Sequence, residues 1–118
     1  EPWTAADIAA HTVIEHGYEA HSRIVNDLFD VLASFDDNER RQFLKFMTGS
    51  PRLPYGGWAA LDPPFKIVRK TAAQPDAYMP STMTCLNYLK LPEYSSAEVL
   101  QAKLRQAMTE GQSGFLLS

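Results

Sequence analysis

Cysteine is nearly missing from this sequence: its 118 residues hold one, Cys85. A disulfide framework within the chain is therefore excluded. A lone thiol suits a reducing compartment, so cytoplasm, nucleus or both is the expected location. Long apolar runs are also missing. None approaches the ~20 residues that span a bilayer, and no charged-then-apolar opening resembles a signal peptide, so no membrane partner is expected. Positive charge is scarce and scattered: 11 Lys and Arg stand against 14 Asp and Glu, a net charge of -3. With no basic block, nucleic acid is a poor partner. The six glycines form neither GxGxxG nor a phosphate loop ending in GK, so no nucleotide cofactor is implied. The three histidines, His11, His16 and His21, are five apart. That is ~140° around a helix, and gives no metal-ligand spacing. They read as surface or cap residues.

What remains is an ordinary globular mix, 45% hydrophobic and 21% charged, sized for one domain. The chain opens at Glu1 rather than Met, as expected of a piece of something longer. Proline divides it. Pro2 stands alone at the start, and the other seven prolines lie between Pro51 and Pro92. A proline inside a helix costs ~3 kcal/mol or more, so long helices belong to residues 3–50 and 93–111.

Thr4 and Asp7 predict a capped short helix reaching roughly His11, and Gly17 marks a break before the next element. Ile24, Leu28, Leu32 and Phe35 recur at helical spacing and predict a helix over about 19–34. Asp36 or Asp37 caps the next, which carries Phe43, Leu44, Phe46 and Met47 and stops near Gly49. Ser95 and Glu98 predict a capping box for a last helix ending at Gly111. Between these, residues 65–70 and 86–91 read as short strands. The expected fold is α+β, with a small, mostly antiparallel sheet and several flanking helices.

Cys85 is the candidate nucleophile. It follows a polar loop, Pro80 to Thr84, at the edge of the second strand, where a side chain meets solvent on a fixed scaffold. A thiol at its ordinary pKa of ~8.5 is already a few per cent thiolate at neutral pH, and thiolates attack thioesters well. The competing reading is an inert, buried cysteine acting as a small hydrophobe. A cysteine–histidine hydrolase has little support, because nothing in the sequence brings a histidine to Cys85. Lys66, Arg69 and Lys70 read as a solvated strand face. Phe115, Leu116 and Leu117 sit in a tail that would ordinarily fray. They either close the domain's own core or serve a function outside it, and the two are compatible.

Several segments together resemble a known family. FLKFMTGSPRLPYGG, LDPPFKIVRKT, PSTMTCLNYLKLPEYSS and a last helix running into EGQSGFLLS are similar to the C-terminal lobe of HECT-type ubiquitin ligases. The specific signals are TGS-x-x-LP-x-GG, Thr-Cys-x-Asn followed by LPEY, and a phenylalanine fourth from the end. SPRLP, IVRKT and MTCLNYLKLP are most similar to the subfamily of ubiquitin-fusion-degradation and thyroid-receptor-interacting ligases. The resemblance places residues 17–118 in the C-lobe and residues 1–16 at the end of the N-lobe or the interlobe hinge.

It implies that Cys85 accepts ubiquitin as a thioester from a conjugating enzyme and passes it to a lysine amine, in service of protein degradation. Thr84 and Asn87 match the family's flanking residues. Phe115 matches the phenylalanine the family needs for transfer to lysine. No cofactor or metal is implied. The partners implied are ubiquitin, protein substrates and a conjugating enzyme held by an N-lobe outside this chain. Many members carry histidine two residues before the cysteine. Here it is Met83, which cannot relay a proton. Asp76, Glu93, Glu110 and the Ser118 carboxylate are candidates to take the lysine proton. The alternative is a non-catalytic ubiquitin-binding module with an inert Cys85. A redox-sensing thiol is a third reading.

Overall fold

The computed structural model describes the backbone of residues 2–113 and the side chains of residues 2–110. Helix α1 (Ala5–Ala10) begins where Thr4 accepts the Asp7 amide, as its sequence predicts. The chain then forms a strand, β1 (Thr12–Glu15), and turns at Gly17. Helix α2 (Arg23–Ala33) starts four residues later than its apolar spacing suggests. Ser22, in extended conformation, precedes it and takes the Glu19 amide into a turn instead. Helix α3 (Asp37–Thr48) has a complete capping box between Asp36 and Glu39 and ends at Gly49 in the left-handed conformation.

Strand β2 (Phe65–Arg69) follows a turn-rich stretch, then come β3 (Ser81–Met83) and β4 (Tyr88–Leu91). The last helix, α4 (Ala97–Ser113), runs through Gly111 rather than stopping there. One helical glycine weakens a helix by only ~1 kcal/mol and does not have to end it. Its N-terminal cap is Ser96, which accepts the Val99 amide at 3.2 Å. Ser95, expected in that role, instead gives both its amide and its hydroxyl to Asp76, at 2.9 and 2.5 Å.

The α+β class is as expected, but the sheet is not mostly antiparallel. Its order is β1-β2-β4-β3, with β1–β2 and β2–β4 parallel and only β3–β4 antiparallel. Parallel neighbours need a long crossover. Here α2 and α3 lie between β1 and β2, and the segment holding β3 lies between β2 and β4.

One core gathers the four helices and the two central strands. Ile24, Leu28 and Leu32 from α2, Phe43 and Met47 from α3, Phe65 and Ile67 from β2, Leu89 and Leu91 from β4, and Leu100 and Leu104 from α4 are buried together. Trp3 and Ile8 join them, so residues 2–15 share both the core and the sheet with the rest. The proline-rich stretch is held by Trp58, whose ring lies 5.0 Å from Trp3 and 5.5 Å from Phe65.

Buried phenols fasten the chain leaving β4. The Tyr18 hydroxyl donates to the Leu91 carbonyl and the Tyr94 hydroxyl to the Tyr78 carbonyl, both at 2.7 Å. Burial pushes both phenols above the usual tyrosine range, with Glu93 adding to it for Tyr18 and Asp76 for Tyr94. Arg23 donates to the Tyr94 carbonyl as well. No helix among the described residues is long and apolar enough to cross a membrane.

Candidate functional site

The β3–β4 ladder ends at the Met83–Tyr88 pair, leaving Thr84 to Asn87 as a four-residue connection. Thr84–Leu86 forms one 3-10 turn, and Asn87 closes it with its amide 3.3 Å from the Thr84 carbonyl. Closure requires Asn87 to be left-handed, at φ 51° and ψ 51°. Asparagine tolerates that region better than most residues with a Cβ. Cys85 is exposed at the tip of this turn.

The turn is held from beneath at several points. Asn87 is only 6% exposed, and its Nδ2 donates to the Pro63 carbonyl at 2.7 Å. Its own carbonyl accepts the Lys66 amide of β2 at 3.0 Å. The Thr82 hydroxyl donates to the Phe46 carbonyl of α3 at 3.0 Å. Gly49 lies against the turn, where a Cβ would stand 3.9 Å from the Thr84 Cβ. A thiol that faces solvent thus rides on a backbone tied to β2, to α3 and to the loop before β2. Met83 and Leu86, 44% and 46% exposed, make an apolar rim on either side of it.

Among the described residues, no side chain hydrogen-bonds or ion-pairs with Cys85. Met83 occupies the place where a proton-relaying histidine would stand. His11 caps the end of α1, and His16 and His21 are exposed. Asp76 and Glu93 lie at the other end of the β3–β4 hairpin, beyond the four residues of β4, ~13 Å of extended chain. Glu93 pairs with Arg69 at 3.1 Å. The Ser95 hydroxyl, and after it the Ser95 amide, hold Asp76 below the usual carboxylate range. Glu110 lies on α4, where Gln106 donates to it at 2.9 Å. Phe115 and Ser118 lie outside the described residues. Lys66, Arg69 and Lys70, expected to be a solvated face, are engaged: Lys66 faces Glu15 at 3.4 Å, Arg69 pairs with Glu93, and Lys70 donates to the Met79 carbonyl at 2.8 Å.

Sequence reasoning missed the Thr82–Phe46 bond and the whole of β3. Three residues of strand carry too little periodicity to register. The β-branched Thr82, flanked by Ser81 and Met83, was the available hint.

A solvent-facing thiol on a pinned turn fits a reaction whose other half arrives on a second protein. The chain belongs to the HECT-domain family of ubiquitin transferases, whose model matches residues 1–118. Within it, the chain is of the TRIP12 and Ufd4 type. It is 51% identical over its whole length to "E3 ubiquitin-protein ligase TRIP12" of Danio rerio, covering 6% of that protein. It is 46% identical over its whole length to "Ubiquitin fusion degradation protein 4" of Saccharomyces cerevisiae, covering 8%. Over 95% of its length it is 50% identical to "E3 ubiquitin-protein ligase UPL4" of Arabidopsis thaliana, again covering 8%. The chain thus spans less than a tenth of the length of these relatives.

Proposed function

We propose that this chain is the C-lobe of a HECT ubiquitin ligase and that Cys85 carries ubiquitin as a thioester. The observation that carries this reading is the exposed Cys85 thiol on a turn fixed by Asn87 and Thr82. In the first step the Cys85 thiolate attacks the carbonyl carbon of ubiquitin's C-terminal thioester on a conjugating enzyme. A C–S bond forms at Cys85, and the conjugating enzyme's thiolate leaves. In the second step a neutral lysine amine attacks the same carbon. The C–N bond forms, the Cys85 thiolate leaves, and the extra proton passes to a base or to water.

Because one thioester replaces another, the loading step is close to isoenergetic, and positioning is what catalysis requires. Holding the reactants together can supply ~7–11 kcal/mol. The pinned turn fixes one reactant, and the conjugating enzyme is presented by an N-lobe outside this chain. Residues 1–16 lead from that lobe. The partners are ubiquitin, the conjugating enzyme and protein substrates, in the reducing cytoplasm or nucleus. Asp76 and Glu93 are remote and engaged, so the lysine proton goes elsewhere. Phe115 acts in the second step.

Full-length ligase incubated with conjugating enzyme and ubiquitin should give an adduct that reductant removes and Cys85→Ala abolishes. No adduct, or one that survives Cys85→Ala, overturns the reading and favours the non-catalytic binding module. Phe115→Ala should leave loading intact and reduce lysine products at least tenfold.

A further inference from the structure

The outer face of α3 is positively charged in a chain whose net charge is -3. Asn38, Arg41, Gln42 and Lys45 follow one another at spacings of three, one and three, along one side of the helix. With Pro51 they line a shallow concavity of about 370 Å³. Arg52 follows Pro51 and is exposed. Elsewhere the cations are mostly matched. Arg23, Arg40, Lys66, Arg69 and Arg105 each pair with a carboxylate. Among the described residues, Arg41, Lys45 and Arg52 make no such pair; nor do Lys70, Lys90 and Lys103, which do not line the concavity. The Asp37 carboxylate, one turn before Arg41, is engaged by Arg40 at 3.1 Å. Lys45 donates to the Gly49 carbonyl, at 3.1 Å. Gly49 is the residue that abuts Thr84. The Lys45 end of the lining is thus linked through Gly49 to the turn that carries Cys85.

We infer that this groove docks an acidic segment of the acceptor protein and so holds the target lysine near Cys85. The inference rests on the transferase reading and names its acceptor class. Arg41 and Lys45, four residues apart, are separated by ~6 Å along the helix. Alternate side chains of an extended peptide repeat at ~6.8 Å, so carboxylates at every second residue match them. Arg41 presents a planar fork suited to a carboxylate. A nucleic acid fits less well, since the few cations of this face can neutralise few phosphates.

The test uses a fluorescein-labelled peptide with glutamates at alternate positions around one lysine, and a glutamine version as control. Binding to the 118-residue chain should require the glutamates and weaken with salt. It should fall at least tenfold in Arg41→Glu/Lys45→Glu, and survive both Cys85→Ala and Lys103→Glu. Should the double reversal not fold, Arg41→Gln/Lys45→Gln replaces it and should fall at least threefold. In the full-length ligase, ubiquitin should discharge at least threefold faster to the glutamate peptide than to the glutamine one. That preference should vanish in the double variant while loading is unchanged. Equal binding by the reversed groove, equal discharge to both peptides, or a single-stranded oligonucleotide binding as tightly as the acidic peptide overturns the inference. Peptide binding that persists while Cys85 never loads would refute the transferase reading alone.

Discussion

Asn87 does two separable things: its backbone adopts the left-handed conformation that closes the Cys85 turn, and its amide fills the Pro63 carbonyl. Asn87→Gly keeps the first and loses the second. The Pro63 carbonyl then loses its partner at a part-buried bond, at a cost of about 1 kcal/mol. Asn87→Ala adds the strain of a Cβ at positive φ, a further ~1–2 kcal/mol. Urea unfolding should therefore rank wild type above Asn87→Gly above Asn87→Ala, with the two variants at least ~1 kcal/mol apart. Equal stability of the variants would mean that the backbone conformation carries no strain. Both should load ubiquitin more slowly at unchanged thiol accessibility, since the turn loses its anchor and not its exposure. The motif Thr-Cys-x-Asn was legible in the sequence, but this division of labour was not. Left-handed backbone and a long-range amide bond both depend on where residues 62–66 come to lie.

Helices were easier to read than strands, for a reason visible in each. The core stripe on α2 repeats over three turns, and Asp36 with Glu39 and Thr4 with Asp7 are local signals. By contrast β1 and β3 are four and three residues long and sit at the sheet's edges. Strand direction is set by the crossovers, and nothing within FKIVR or YLKL encodes it. The α4 cap shows the same limit. Ser95 and Ser96 are equally plausible caps locally, and Asp76, nineteen residues before Ser95, decides between them. Its carboxyl is held below the usual range by Ser95. Because the folded-state pKa is depressed, the tether is intact above the ordinary Asp range and is lost as pH falls through the folded value. A carboxyl-carbon NMR titration should find the Asp76 midpoint below that of ordinary aspartates. Ser95→Ala should move it upward while the backbone amide retains part of the effect. An ordinary midpoint in both proteins would mean that the bond does not persist in solution.

At the scale of the whole molecule, residues 2–15 belong with the core and the sheet. Trp3 meets Trp58 at 5.0 Å and Phe43 at 6.3 Å, and β1 pairs with the central strand β2. Through Trp58 the same ring cluster reaches Phe65, at the start of the strand whose Lys66 amide supports Asn87. A segment proposed to lead in from the other lobe is thus packed, through four aromatic rings, onto the scaffold of the Cys85 turn. Trp3→Ala should cost about 3 kcal/mol, the lower end for a large buried aromatic, because Trp3 lies near the start of the chain and its surroundings can relax. Domains of this size hold only ~5–15 kcal/mol in total, so thermal unfolding should fall by roughly 10–15 °C. Trp3→Phe should recover most of the loss by keeping the edge-to-face contacts. If the Trp3→Ala protein instead unfolds within ~1 kcal/mol of wild type, residues 2–16 are an appended strap, and the lobe's own core begins after Gly17. If the full loss is seen, movement between the proposed lobes has to pivot before Trp3, because any pivot within residues 3–15 would pull apart the rings beneath the Cys85 turn.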